Sequence, residues 1–500
     1  MGEAIRDRIF SNITVFNGLK FKREQSLLID SDGKVSFRPT EDVGMSILST
    51  LQEIDGTGMT VTPSFHDTHM HLLSYAANSL TYDIGLGKLS KDVFINLVRK
   101  AAWDQRNADV VRVSGMDHGF TNMPENLQVD NTLLDEALPD RPLRIQTRSG
   151  HAHVLNSAAM HLAGIVDSTD EPEGVTFQRH LSNGRLNGVF WEAAEYLDNR
   201  LPGIDQCELK KGVRKALETF RVNGINHLTD ATHINDIARY QLLSGCLKEF
   251  APDMELLFMP GFDRFRDFVD LGMTYKSRHN GISLGAIKIM LTGSAGLTYP
   301  DNNTLTEMVR ECHSFGFPVA IHSVDMDSTD IVIDVLSDDS LAGDRIEHAS
   351  ELTDDQIHKM SQISLNVSTQ PSFIYERGDG YLNSDAASRI DKLYRLKSLL
   401  SAGIVVGASS DCPVTNPDPI KTIYSSVTRR TSAGAIVNIE ERVTVREALK
   451  MLTSNSVTIS GLSENREWTD KNLILIDHDL ASCSSEELLE ANISWISDFQ

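Results

Sequence analysis

From Val61 to Thr453 short apolar, β-like runs alternate with longer amphipathic segments, the rhythm of strands followed by helices. The first strand falls within Pro63–Leu72, and the next are expected at Asn223–Ala231, Met254–Pro260 and Gly285–Leu291. Four more follow at Phe317–Ser323, Asp344–Ala349, Ser364–Thr369 and Ile404–Ser410. Between them the pattern predicts helices at Glu208–Val222, closed by Gly224, and at Ile237–Phe250. Thr304 should cap a helix running to Phe315, Asp327 or Ser328 one running to Leu336, and Thr353 another. Ala386–Ala402 and Val445–Thr453 complete the set. Eight strands, each but the first directly preceded by a helix, predict an α/β fold, a (β/α)8 TIM-type barrel with its functional groups at the C-terminal strand ends. A doubly wound open sheet would carry a Gly-rich turn after its first strand, and none is present.

Two stretches depart from that rhythm. Residues 1–60 read as hairpins, with runs at Ile9–Phe16, Gln25–Ile29 and Val35–Arg38, and the far end repeats the pattern at Asn472–Ile476 and Ile493–Ile496. These runs predict a small flanking β-sandwich built from both termini, residues 1–60 plus 465–500, around a barrel of residues 61–464. Residues 72–210 are far too long for a βα connection. They predict a large insertion after barrel strand 1, a subdomain over the barrel mouth that walls the pocket. A helix at Lys91–Asp104 capped by Ser90 and strands at Val110–Ser114 and Leu143–Thr147 are its expected elements.

Composition narrows the function classes. A chain of 500 residues, 40% hydrophobic and 23% charged, has the makeup of an ordinary globular protein larger than one simple core. No apolar run reaches membrane-spanning length, and the first residues lack a secretory apolar core. A net charge of −23 argues against nucleic-acid or anionic-membrane partners, which select for clustered Lys and Arg. A small-molecule substrate is expected, with a homodimer as a candidate assembly. The five cysteines are dispersed and form no CxxC pair, as in reduced, cytoplasmic proteins.

The chemistry gathers at the strand ends. In P-S-F-H-D-T-H-M-H-L, His69 and His71 are two residues apart, so in a strand both imidazoles leave one face and can share a cation. His66 faces the other way and reads as structural. Lys288, His322, His348 and Asp411 occupy the corresponding ends of strands four, five, six and eight, where a barrel delivers them to one mouth. Four imidazoles, a lysine and a carboxylate can hold two divalent ions with a hydroxide between them. An ammonium repels cations, but a buried amine has a lowered pKa, and its neutral form can take up carbon dioxide to become an anionic, bridging carbamate. Cys412, next to Asp411, alternates away and reads as core.

Taken in order these motifs resemble the metal-dependent amidohydrolase superfamily, and within it amidohydrolase family 3, the YtcJ-like proteins, over nearly the whole chain. P-S-F-H-D-T-H-M-H is similar to that family's P-G-F-x-D-x-H-x-H, and S-G-H-A-H-V-L-N-S-A-A (149–159) to its D-G-H-x-x-x-x-N-S-A-A. G-A-I-K-I-M-L-T-G (285–293), A-I-H-S (320–323), R-I-E-H-A (345–349) and G-A-S-S-D-C-P-V (407–414) are similar to its later strand ends. The resemblance implies a two-metal site with His69, His71, carboxylated Lys288, His322, His348 and Asp411 as ligands, and zinc, manganese, iron or cobalt as the metal. Zinc is the first choice. It further implies that His151 donates a hydrogen bond to the oxyanion. Trp191 and Glu192, in G-V-F-W-E, are further pocket candidates. Departures include Ser64 and Ser149, where the family has Gly and Asp, and R-E-W-T-D-K-N-L (466–473) in place of a Gly-Lys-x-A-D-L run.

The activity expected is hydrolysis of a carbon–nitrogen, amide-type, non-peptide bond by a metal-activated hydroxide, with linear amides first among substrates. Asp411 would take the nucleophile's proton and return it to the leaving nitrogen. One alternative is a single-metal aminohydrolase that ignores Lys288 and carries protons on Asp325, three residues past His322. Another is a metal-binding regulatory protein on an inactive barrel.

Overall fold

Parallel strands buried on both faces are written as near-continuous apolar runs, and eight of them carry this fold. They are β1 (Phe65–Met70), β2 (Ile225–Asp230), β3 (Glu255–Phe258), β4 (Ile287–Met290), β5 (Val319–Ser323), β6 (Arg345–His348), β7 (Asn366–Thr369) and β8 (Val406–Ala408). Each lies within the run that the sequence pattern marks. Every residue of β1, β2 and β6 is buried. The computed structural model describes residues 7–43, 51–84, 89–116, 128–147, 150, 152–172, 174–294, 297–462 and 468–499.

β1, β2 and β3 pair in parallel, as do β4 through β8. The run carrying β4 is split at Gly285 and Ala286: Ile282–Leu284 pairs with β3, and Ile287–Met290 with β5. Main-chain bonds from Gly285 N to Phe258 O (2.8 Å) and from Lys288 N to Pro260 O (2.9 Å) tie β4 to β3. Beyond β8, Asp411 N donates to His69 O and His71 N to Cys412 O, both at 2.9 Å, which sets the last strand's exit beside the first.

Three helix assignments differ from the sequence reading. Asp301, not Thr304, caps Asn302–Ser314, and Thr304 is the residue whose N–H it accepts, at 2.8 Å. Asp325 caps Met326–Asp338 by accepting from Ser328 N at 2.8 Å, so Asp327 and Ser328 lie inside the first turn. Ala386–Ala402 is not one helix. A 3-10 segment, Asp385–Lys392, gives way to a short helix, Leu396–Ser401. The loop after β6 recruits the chain between them: Tyr394 N donates to Ser350 O at 2.8 Å and Leu352 N to Lys392 O at 3.1 Å. Fully buried Arg429 then donates to Leu393 O and Tyr394 O at 3.0 Å each. Those tertiary bonds outweigh the local helical pattern.

A seven-stranded sheet draws on both ends of the chain. Ile493–Trp495, Leu473–Ile476, Thr60–Pro63, Arg8–Phe16, Phe21–Ile29 and Val35–Pro39 lie side by side in that order, and Gln52–Asp55 also pairs with Arg8–Phe16. Phe10, Ile13, Leu27, Val61, Leu473 and Ile496 pack into one cluster against it. Thr60–Pro63 runs through Ser64 into β1.

The chain forms two compact units, residues 1–71 with 217–500, and residues 72–216. The second has its own six-stranded sheet, in which Leu186–Trp191 lies between Thr176–Arg179 and Ala152–Leu155. Ser90 caps its helix Lys91–Asp104 by accepting from Val93 N. Among the described residues no helix is long and apolar enough to cross a membrane.

Candidate active site

His69 is the buried next-to-last residue of β1 and His71 follows it by two residues, with their ring centres 5.2 Å apart. Asp411 reaches both: its Oδ1 stands 3.1 Å from His71 Nε2 and 3.5 Å from His69 Nε2. The His348 ring lies 4.7 Å from that of His69 and 4.5 Å from that of His322. Lys288, on β4, is 1% exposed, and its Nζ has no hydrogen-bond partner among the described residues. The barrel thus brings the four histidines and Asp411 together, with Lys288 close enough to act electrostatically on His69, His322 and His348.

Two of these residues depend on unusual backbone. His348 has φ +76° and Asp411 φ +52°, both in the left-handed region that non-glycine residues enter at a cost. The turn at His348 breaks strand alternation, so Glu347 and His348 both serve the cluster.

Polar partners fix the rings. His69 Nδ1 is hydrogen-bonded to Glu347 Oε2, His71 Nδ1 to Thr232 Oγ1 at 2.9 Å, and His348 Nδ1 to Gln370 Oε1 at 2.9 Å. Gln370's orientation follows from its other end. Its Nε2 donates to Ser409 Oγ at 3.0 Å, and Ser409 donates onward to Thr369 O. Gln370 Oε1 is therefore the acceptor and His348 Nδ1–H the donor, which leaves His348 Nε2 as a lone-pair nitrogen.

The charges suit a cation. Burial, reinforced by the field of Lys288, holds His69 well below the ordinary histidine pKa. Burial and the neighbouring His348 do the same to His322, and burial lowers His348. Neutral imidazoles are the ligating form. Burial would raise Asp411, but the hydrogen bond with His71 and the fields of His69 and His348 bring it below the usual carboxylate value. Burial lowers Lys288 to about 8, against the pull of Glu347 and Asp411.

Whether these groups fit a divalent ion is a question of spacing. Ligands about 2.1 Å from a tetrahedral ion sit roughly 3.4 Å from one another. The 3.1 and 3.5 Å separations around Asp411 Oδ1 match, and one ligand atom from each of His69, His71 and Asp411 lies within 4.8 Å of the others. The partnerless Lys288 Nζ beside them is a second mark of an incomplete polar cluster.

The remaining candidates fare differently. His151 lies outside the described residues. Trp191 packs on the apolar core of the 72–216 unit, and Glu192 follows it with φ +53°. Asp325, the proton carrier of the single-metal alternative, is engaged as a helix cap. His66 bonds Thr229 Oγ1 at 3.0 Å and contacts Ser460 at 3.4 Å, a packing role. Cys412 is fully buried. Sequence reasoning missed Glu347, Gln370 and Thr232, because none bears a ligand itself. It also missed His233 in the turn after β2. Asn235 ties that turn to Asp230 and Met259, and burial, then the fields of Lys288 and His71, lower the His233 pKa to about 4.

Known proteins are similar to this chain. A family model described as the amidohydrolase family matches residues 52–491. The YtcJ protein of Bacillus subtilis (strain 168) is 24% identical over 440 residues, covering 82% of this chain and 81% of that protein. The N-substituted formamide deformylase of Arthrobacter pascens is 24% identical over 510 residues, covering 94% and 93%. Among solved structures, an uncharacterized metal-dependent hydrolase from Pyrococcus horikoshii superposes with a TM-score of 0.75 at 19% identity, over 96% of this chain and 99% of the other. That likeness supports a TIM-type barrel for the eight parallel strands. With a match across most of its length, this chain belongs to the amidohydrolase family.

Proposed function

We propose that this chain is a metal-dependent hydrolase that cleaves a carbon–nitrogen, amide-type, non-peptide bond in a small molecule, with linear amides as the first substrate class. The observation that carries the reading is the placement of one carboxylate oxygen, Asp411 Oδ1, between His69 Nε2 and His71 Nε2 at ligand spacing. His69, His71, His322, His348, Asp411 and Lys288 are the proposed ligands of two divalent ions, zinc first among them. Bound there, the ions supply a water acidic enough to yield hydroxide at neutral pH and a Lewis acid for the scissile carbonyl.

The chain's own groups do the rest. Asp411 accepts the water's proton and delivers it to the departing nitrogen, so the products are an acid and an amine. Lys288, in its neutral form, would attack carbon dioxide through Nζ and lose a proton to solvent, giving an anionic carbamate that could help hold the ions. His151 is the proposed hydrogen-bond donor to the substrate carbonyl. The name of the deformylase relative, which acts on N-substituted formamides, supports an acyclic amide as substrate.

The test is turnover by the metal-loaded protein on N-substituted formamides and other linear amides, with both products identified by mass spectrometry. Release of acid and amine in equal amounts is the expected result. Ammonia released from an aromatic amine substrate, with no amide cleaved, would instead indicate an aminohydrolase.

A further inference from the structure

Glu347 is a carboxylate with no exposure at all, on the strand that carries His348 and far in sequence from His69. Its Oε2 is hydrogen-bonded to His69 Nδ1 and its Oε1 accepts from Arg345 Nε at 2.5 Å. Arg345 is itself completely buried, and its Nη2 donates to Thr68 O at 2.9 Å. One guanidinium from β6 therefore holds both the carboxylate that touches the His69 ring and the main chain of β1 that carries it. Its Nη2 also lies 3.7 Å from Met259 Sδ, just past β3, so the tie crosses the barrel interior rather than following sheet neighbours.

The chemistry of this chain of contacts has one direction. A carboxylate is acceptor-only, so the shared proton belongs to His69 Nδ1 and the lone pair to Nε2, the nitrogen nearest Asp411. A buried carboxylate without a cation beside it would be too costly to keep, and Arg345 meets that need with a group that stays charged. Gln370 performs the same task for His348 without charge. Glu347 differs from Gln370 and Thr232 in adding negative charge behind a ligand, which makes the imidazole a stronger donor toward a cation.

We propose that Glu347, held by Arg345, is a positioning residue that fixes the tautomer and angle of His69 and strengthens its Nε2 toward a divalent ion. The inference rests on the proposed metal site, and the experiment separates the two. Metal-stripped wild type, Glu347→Gln and Glu347→Ala are titrated with zinc against a competing chelator, and cobalt(II) absorption spectra are recorded for each. Affinity should fall roughly 10- to 100-fold in Glu347→Ala and less in Glu347→Gln, with cobalt bands shifted in both and wild-type affinity regained in part by Glu347→Asp. Equal zinc affinity and identical cobalt spectra in wild type and Glu347→Ala overturn the positioning role while leaving the metal site standing. A wild type that takes up no divalent ion overturns the site as well. Should the variants not fold, nitrogen chemical shifts of His69 in the wild-type apo chain decide: a proton on Nδ1 supports the proposal, and one on Nε2 with Nδ1 bare overturns it.

Discussion

His71 Nε2 and Asp411 Oδ1 meet at 3.1 Å, one just beyond β1 and the other just beyond β8. Replacing that carboxylate by an amide of the same shape keeps the packing and removes both the negative charge and the proton acceptor. Asp411→Asn should therefore lower kcat by about a thousand-fold, the scale of lost acid–base assistance, while the thermal unfolding curve changes little. Steady-state kinetics on any amide that the wild type turns over will check this, and retention of wild-type kcat would contradict it.

Lys288 is buried beside the same cluster, with its amine brought to about 8. A sizeable neutral fraction at mildly alkaline pH is available for carboxylation. Stripped protein reloaded with metal should recover more activity with bicarbonate present than in buffer freed of carbon dioxide. Native mass spectrometry should show a gain equal to one carbon dioxide, absent in Lys288→Ala. That variant should also bind fewer ions per chain by elemental analysis.

Strand positions were legible in the sequence because strands buried on both faces must be apolar throughout, while polar residues at their ends stand out. His69, His322 and Asp411 were found in that way. Glu347 was not, since strict alternation sets it opposite His348, and only the left-handed backbone at His348 and Ala349 (φ +46°) brings both to the cluster. Asp325 reads in the sequence only as a proton carrier, with the cap expected further on, at Asp327 or Ser328, because an acid three residues past a ligand looks like chemistry. The bond from Ser328 N shows that it is the cap. Ala386–Ala402 has helical periodicity, but Arg429, which takes the Leu393 and Tyr394 carbonyls, lies far along the chain and leaves no local trace.

Arg429 is a buried anchor outside the site. Its Nε, Nη1 and Nη2 donate to the carbonyls of Val437, Tyr394 and Leu393, each at 3.0 Å, and burial lowers its pKa to about 10. Arg429→Met keeps much of the volume and strands three buried acceptors, each worth about 1 kcal/mol or more. A loss of about 3 kcal/mol or more is expected in urea unfolding, and a loss below about 1 kcal/mol would show that the loop re-forms without it.

His313 offers a pH test away from the cluster. It lies between Asp344, at 3.1 Å, and Asp339, at 3.3 Å. Burial works against its charge, yet the hydrogen bond and field of Asp344, joined by Asp339, raise its pKa above the ordinary histidine value. A group raised on folding stabilises fully below its unfolded pKa of about 6.5, and that contribution disappears as pH climbs through the folded value. The Tm difference between wild type and His313→Gln should be widest near about pH 5.5 and narrow toward about pH 9. A constant difference across that range would rule out the ion pairs as its source.

The sheet shared by the two ends of the chain constrains how the protein is made. All six proposed ligands have been synthesised once Asp411 is added, but Thr60–Pro63, the strand leading into His69, still lacks its antiparallel neighbour Leu473–Ile476. A message truncated between those points encodes every ligand and leaves that strand with an open hydrogen-bonding edge, an invitation to aggregation. Nascent chains of this protein therefore carry that open edge until their last strands emerge.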